Sequence, residues 1–332
     1  FPAWAATTAY DRSATLYRAW QLMIERKDHL ARMMTEEQGK PLRAATTEVQ
    51  YAADFLLWFA EEAKRVYGET IPSSRPDQRF IVMHQPVGVV AAITPWNYPV
   101  SMITRKVGPA LAAGCTVVLK PAEATPLCAI EIFKVLEEAG VPKGVINLVT
   151  AENPAPVGEE FVTNPKVAKL TFTGSTVVGK MLAGKAAANM KRVSCELGGH
   201  APFMVFSDAN PVHAAKGAQL VKFLNTGQAC ISPNRIYVSD KLVDDFVGTL
   251  AERVSKMRAG SGFEEGVTIG PLVNEAAVAK VETHVNDANS HGAEIVCGGS
   301  RLTDGNLSKG HFFAPTVING ITPDMRIYQE ET

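Results

Sequence analysis

The 332-residue sequence predicts an α/β protein in which a parallel-sheet domain is followed by a second α/β block. Three observations carry this. Val87–Thr94 (VGVVAAIT), Thr116–Leu119 (TVVL), Val145–Val149 (VINLV), Lys169–Thr173 (KLTFT) and Arg192–Cys195 (RVSC) are short strand-like runs. Their apolar residues are continuous rather than alternating, as in strands buried on both faces. Helix-length segments such as Pro126–Ala139 and Val178–Asn189 separate them, which is the βα alternation of a parallel sheet. The chain also exceeds the usual size of one compact core, so two domains are expected.

The first element expected is a helix from Asp11 to about Gln38, with Leu16, Ala19, Met23, Leu30 and Met33 or Met34 on one face and Gly39-Lys40-Pro41 as its stop. A second helix is expected from about Arg43 to Tyr67, its cluster Phe55, Leu56, Trp58 and Phe59 read as core. The five strands follow. After Leu197 the second block is expected to hold strands at Pro202–Phe206 and Arg235–Val238 and helices at Ala214–Asn225, Lys241–Met257 and Glu275–His291. The boundary therefore falls at about residue 197, giving domains 1–197 and 198–332.

Charge excludes some partners. Against 34 acidic residues stand 33 basic ones, with no basic run, so neither nucleic acid nor an anionic membrane is an expected partner. No apolar stretch approaches the about 18 residues of a spanning helix, and the first residues lack signal-peptide character. Cys115, Cys128, Cys195, Cys230 and Cys297 form no C-x-x-C pair and no zinc spacing with the histidines. Scattered thiols of this kind imply a reducing compartment, the cytoplasm first and the mitochondrial matrix as the alternative; no metal site is expected.

Parallel sheets bind ligands beyond the carboxyl ends of their strands, so the polar residues at those ends are the candidates. After the first strand comes Thr94-Pro95-Trp96-Asn97-Tyr98-Pro99. Asn97 could donate to a developing oxyanion or merely satisfy its own turn. After the second comes Lys120-Pro121-Ala122-Glu123, which could bind ribose hydroxyls or form a plain salt bridge. Gly174-Ser175 leads a strand into a helix start, able to receive a pyrophosphate or only to turn the chain. Glu196, beside Leu197-Gly198-Gly199, could be a general base or a structural carboxylate. Cys230 lies in a Gly-Gln loop after a helix, where a thiol can be activated, although a lone cysteine is more often inert.

Together the motifs PWNYP, LKPAE, FTGS with Gly179, ELGG and GQAC resemble, in order and approximate spacing, the aldehyde dehydrogenase superfamily, over essentially the whole chain. The resemblance implies a Rossmann-like NAD-binding domain with N-terminal helices (1–197) and a catalytic domain (198–332). It implies that Cys230 attacks an aldehyde, that the Asn97 amide and the Cys230 backbone N–H hold the oxyanion, that hydride passes to the nicotinamide, and that Glu196 activates water to hydrolyse the thioester. Lys106, nine residues after Asn97, matches the family's proton-relay lysine. The cofactor residues it implies are Thr94, Pro95, Trp96, Lys120, Glu123, Gly174, Ser175, Leu197 and, on the nicotinamide ribose, Glu331. Glu123 should repel a 2′-phosphate, favouring NAD over NADP.

Met102–Lys106 (MITRK), Gly199–Phe206 (GHAPFMVF) and Gly262–Gly266 (GFEEG) are similar to the succinate-semialdehyde dehydrogenases, where the position of Arg105 pairs with the substrate's distal carboxylate. Leu224 replaces that family's second arginine, and Ser232 replaces a second cysteine found in many members. The expected substrate is succinate semialdehyde or a similar small semialdehyde. The alternatives are a cofactor-independent cysteine hydrolase or acyltransferase, for which no histidine sits in a strand-end motif, and a non-catalytic protein on the same scaffold. Relative to the family the fold is expected to be incomplete at both ends, and a full-length member to be a homodimer or homotetramer.

Overall fold

A computed structural model describes all residues 1–332, which divide into two compact units, Phe1–Met33 with Thr46–Leu197, and Met34–Ala45 with Gly198–Thr332. The elements run α1 (Pro2–Ala5), α2 (Ala9–Glu25), α3 (Lys27–Gln38), α4 (Leu42–Glu62), β1 (Glu69–Ile71), β2 (Phe80–Val82), β3 (Val89–Ile93), α5 (Ser101–Ala112), β4 (Thr116–Lys120), α6 (Pro126–Glu138), β5 (Ile146–Leu148), α7 (Pro154–Thr163), β6 (Val167–Gly174), α8 (Thr176–Ala188) and β7 (Arg192–Leu197). The remainder is β8 (Phe203–Val205), α9 (Pro211–Lys222), β9 (Ile236–Val238), α10 (Val243–Ser255), α11 (Glu275–Ser290), β10 (Glu294–Cys297), β11 (Val317–Asn319) and α12 (Arg326–Gln329).

In the first unit β3–β7 form one parallel sheet in the order β5-β4-β3-β6-β7. The chain leaves the central strand β3 first to one side and then to the other, so β3 and β6 flank a topological switch point. The central strands behave as their continuity requires: in β3, Val90–Ile93 are all buried, and Ala91, Ile93, Leu170 and Phe172 share a core with Phe161 of α7 and Leu182 of α8; β7, at the sheet edge, instead alternates exposed and half-buried residues.

Some local expectations are corrected. The helix expected over 11–38 is two helices, broken at Arg26 (φ −101°, ψ 14°). Thr8 and Asp11 close a capping box at the start of α2, which satisfies two otherwise orphaned N–H groups. The second helix ends at Glu62 followed by a 3₁₀ turn, and in its cluster Leu56 is fully buried whereas Trp58 is 61% exposed, so the aromatic group is core on one side only. α5 and α7, not singled out in the sequence, complete the crossovers. α5 contains Pro109, and its amino end is held from α4: the buried Glu48 carboxylate accepts from Val100 N–H (3.0 Å) and Ser101 N–H (3.1 Å).

In the second unit β8 pairs parallel with β9, and β10 pairs antiparallel with β11. Val205, Ala215, Ala218, Phe246, Leu250 and Val254 form its main core. The segment Met34–Ala45 belongs here despite its place early in the chain: Leu42 N–H donates to Gly262 O (2.9 Å), and Gly39 packs on Pro271. No helix is long and apolar enough to cross a membrane.

Candidate active site

In the first unit the strand register brings the candidates to one edge. Ile93, the last residue of β3, pairs with Lys120 of β4 and Phe172 of β6, while Thr173 pairs with Glu196 and Gly174 with Leu197. Thr94, Lys120, Gly174, Glu196 and Leu197 therefore stand at the carboxyl ends of four neighbouring strands, where a doubly wound sheet binds its ligand. Pro95, Trp96 and Asn97 continue from β3 in a half-buried loop that leads into α5.

The chemistry of this edge fits a dinucleotide. Thr94 Oγ1 is buried and has no hydrogen-bond partner in the protein, and an orphaned buried hydroxyl is costly unless a ligand or water answers it. The Lys120 ammonium is buried, donates to Pro121 O (2.7 Å), and is ion-paired with the more exposed Glu123 carboxylate. Ser175 caps α8, accepting from Val178 N–H (3.4 Å), and the exposed first turn of that helix carries a positive dipole end. Gly179 lets α8 lie close to the sheet, since a Cβ there would collide with Leu197.

α5 adds the two neighbouring cations, Arg105 and Lys106. Lys106 Nζ donates to Thr171 Oγ1 of β6 (2.8 Å). Burial, then the neighbouring Arg105, pull its ammonium down from 10.5 to about 8, while Glu196 and Cys195 partly oppose this. An amine at that value exchanges its proton near neutral pH. The Arg105 guanidinium lies 3.7 Å from Glu196 Oε1, with both side chains substantially exposed.

In the second unit the helix expected to run to Asn225 ends at Lys222, and a left-handed stretch follows. Asn225 (φ 48°, ψ 44°) and Thr226 (φ 61°, ψ 29°) precede Gly227 (φ 79°). Asparagine tolerates this region, but a β-branched threonine there is strained by about 1–3 kcal/mol and persists only because its surroundings fix it. Thr226 Oγ1 accepts from Gly270 N–H (2.9 Å), Gln228 Oε1 accepts from Val273 N–H (3.0 Å), and Gln228 Nε2 donates to Pro271 O (3.3 Å). The loop so fastened exposes Cys230; of the other cysteines Cys115 and Cys128 are buried and Cys195 and Cys297 are half-buried. Glu331, near the far end of the same unit, lays its carboxylate against Gly198, where a Cβ would collide with it.

Sequence reasoning missed the anchoring partners. Thr171 and Gly270 carry no motif of their own, and the anchoring role of Gln228 inside GQAC is not visible in the motif; only the register of β6 and the return of the 270–273 segment give them a role.

A family model described as "Aldehyde dehydrogenase family" matches residues 1–332. The chain is 53% identical over 332 residues to the succinate-semialdehyde dehydrogenase (NADP(+)) GabD of Escherichia coli, covering 100% of this chain and 68% of that protein. It is 52% identical to a glutarate-semialdehyde dehydrogenase of Pseudomonas putida, with coverage of 100% and 68%. Among solved structures, an aldehyde dehydrogenase from Brucella melitensis matches with a TM-score of 0.96 and 49% identity over 99% of this chain and 67% of that one. The chain thus spans about two thirds of the length of these relatives.

Proposed function

Since the chain belongs to the aldehyde dehydrogenase family, we propose that it oxidises a small semialdehyde to the carboxylic acid through a thioester on Cys230. The observation that carries this reading is the row of Thr94, Lys120, Gly174 and Glu196 along one carboxyl edge of the parallel sheet, with the exposed Cys230 held on a strained, stapled loop.

A nicotinamide dinucleotide, when bound, supplies the two-electron acceptor. Lys120 and Glu123 would hold its adenosine ribose, Ser175 and the first turn of α8 its pyrophosphate, and Glu331 its nicotinamide ribose, with Thr94 to Trp96, Gly174 and Leu197 as further contacts. Cys230 Sγ adds to the aldehyde carbon. The Asn97 amide and the Cys230 backbone N–H stabilise the oxyanion, and the new C–S bond is kept as a thioester once the carbon is oxidised. Glu196 takes a proton from the water that attacks the thioester carbon; the C–S bond breaks, the acid leaves and the thiol returns. Lys106 passes the proton onward. Arg105 pairs with the distal carboxylate of the substrate, a role suited to a guanidinium fork.

Cys230→Ser is expected to abolish aldehyde-dependent formation of reduced dinucleotide, followed by absorbance, while dinucleotide binding is kept. Appreciable turnover by that variant would sink the mechanism, and aldehyde or ester processing without cofactor would favour a plain thiol hydrolase. Glu123 supports NAD as the acceptor, whereas the name of the Escherichia coli relative carries NADP(+). Comparing KM for the two decides it, and Glu123→Ser should move the ratio toward NADP. The exposed β1–β2 ribbon, with Ile81 71% exposed and Met83, just beyond it, equally so, supports assembly into a homodimer or homotetramer, testable by light scattering. The scattered free cysteines support location in a reducing compartment, the cytoplasm or the mitochondrial matrix.

A further inference from the structure

α11 buries one histidine that the proposed chemistry does not use. His284 is fully buried, and its two ring nitrogens reach two different residues of the segment after α12. Nε2 lies 3.1 Å from Glu330 Oε2, and Nδ1 lies 3.1 Å from Thr332 Oγ1. The residue between those two is Glu331. Arg326 also binds Glu330, Nε at 2.9 Å and Nη2 at 3.3 Å, and Asp287 of α11 accepts from Arg326 N–H (2.7 Å). The Glu331 carboxylate itself rests against Gly198, at a spot with no room for a Cβ.

The hydrogen-bond chemistry fixes the state of the ring. Arg326 first, and His284 second, pull Glu330 down to about 2, so it is an ionised acceptor. Nε2 must therefore carry the proton and donate to it. Burial holds the imidazole below its ordinary value against the opposing pull of Glu330, with Lys280 and Arg326 acting in the same direction as burial. A neutral ring leaves Nδ1 as an acceptor, and the Thr332 hydroxyl donates to it. Both bonds are directional and part-buried, with the ring itself sealed from solvent and its partners on the outer side, so the ring braces the backbone on both sides of Glu331. A buried neutral imidazole needs a partner for each ring nitrogen, and here the two partners are the residues on either side of a candidate cofactor ligand.

We propose that His284 is a positioning residue for Glu331, holding Glu330 and Thr332 so that the Glu331 carboxylate keeps its place over Gly198 and binds the dinucleotide. This rests on the reading of Glu331 as a cofactor ligand given above.

The test measures the dissociation constants of NAD and NADP by tryptophan-fluorescence titration, together with KM for the aldehyde, on the whole protein. The variants are His284→Leu, His284→Gln, Glu331→Gln and the double variant His284→Leu/Glu331→Gln. His284→Leu should weaken dinucleotide binding roughly tenfold, the order of one coupled contact, with aldehyde KM changed less than about twofold. His284→Gln, which keeps a donor near Glu330, should recover most of the loss. The double variant should bind no worse than Glu331→Gln alone, because one acts through the other. If Glu331→Gln weakens binding but His284→Leu does not, or if the two losses multiply, the positioning role is wrong while the Glu331 reading stands. If Glu331→Gln binds as wild type, the Glu331 reading fails and takes the proposal with it. Should His284→Leu not fold, Thr332→Val removes one brace from the surface side; a several-fold loss supports the proposal and wild-type binding overturns it.

Discussion

Replacing Lys106 by methionine should make the protein more stable and less active, and the stability gain should vanish at high pH. Burial, the largest cause, and then Arg105 lower this ammonium from 10.5 to about 8, so keeping it charged in the folded state costs about 3 kcal/mol at pH 7. Methionine fills a similar volume without charge, at the loss of the 2.8 Å hydrogen bond to Thr171, worth about 1–2 kcal/mol. The net gain is about 1–2 kcal/mol at pH 7. Its pH dependence follows from linkage. Below pH 8 the amine is charged in both states and the wild type bears the whole cost. Between pH 8 and 10.5 the unfolded chain keeps the proton that the folded one has released, so wild-type stability rises with pH. Above about 10.5 only the lost hydrogen bond remains, and the variant should be the weaker protein. Lys222, likewise lowered to about 8 by burial, adds the same slope to both proteins and cancels in the difference. Urea unfolding at pH 7 and pH 10 measures that difference. A methionine variant less stable than wild type at pH 7, or a difference that does not change between the two pH values, would refute the reasoning.

Other outcomes follow from the same geometry. Glu48→Ala leaves the N–H groups of Val100 and Ser101 without their buried acceptor and should cost about 2–4 kcal/mol in urea unfolding; wild-type stability would mean that water replaces the carboxylate. Thr226→Val keeps the shape and the left-handed strain but strips the acceptor from Gly270 N–H. It should lose about 1–3 kcal/mol and slow alkylation of Cys230 by iodoacetamide, with unchanged alkylation arguing that the staple does not position the thiol. Gly198→Ala places a methyl against the Glu331 carboxylate and should weaken dinucleotide binding by roughly tenfold or more while thiol alkylation proceeds as before.

The sheet was legible because strands buried on both faces are apolar throughout, and VVAAI in β3 or TVVLK in β4 is short, rich in β-branched residues and bounded by glycine and proline. α5 was not. Its sequence holds Gly108 and Pro109, which disfavour a helix on propensity, and it forms because Glu48, over fifty residues earlier, supplies its amino-terminal acceptor. The break at Arg26 was equally hidden, since a hydrophobic period continues across it and only the backbone turns. Trp58 misled for the reverse reason: an aromatic residue in a helical cluster reads as core, yet the period sets Leu56 inward and Trp58 out.

Of the site, the placement of the candidate residues at strand ends was legible from position, their proposed roles came from the resemblance, and what neither could give was which charges face each other. Arg105 was read as a ligand for a substrate carboxylate, and its guanidinium lies 3.7 Å from the carboxylate of Glu196. That distance is an ion pair without a hydrogen bond, and both partners are solvated, so the pair is worth less than about 1 kcal/mol. A substrate carboxylate bound bidentately to Arg105 gains more than this and would displace Glu196. The proposed base and the proposed specificity residue are thus coupled. On the proposed reading, an acidic semialdehyde would release Glu196 to water as it binds, whereas a neutral aldehyde of equal length would leave it beside Arg105. Arg105→Ala should therefore raise KM for succinate semialdehyde by roughly tenfold or more yet leave turnover of the neutral aldehyde unchanged or slightly faster, as followed by formation of reduced dinucleotide. Equal losses on both substrates would mean that Arg105 serves the site's structure and not its choice of substrate.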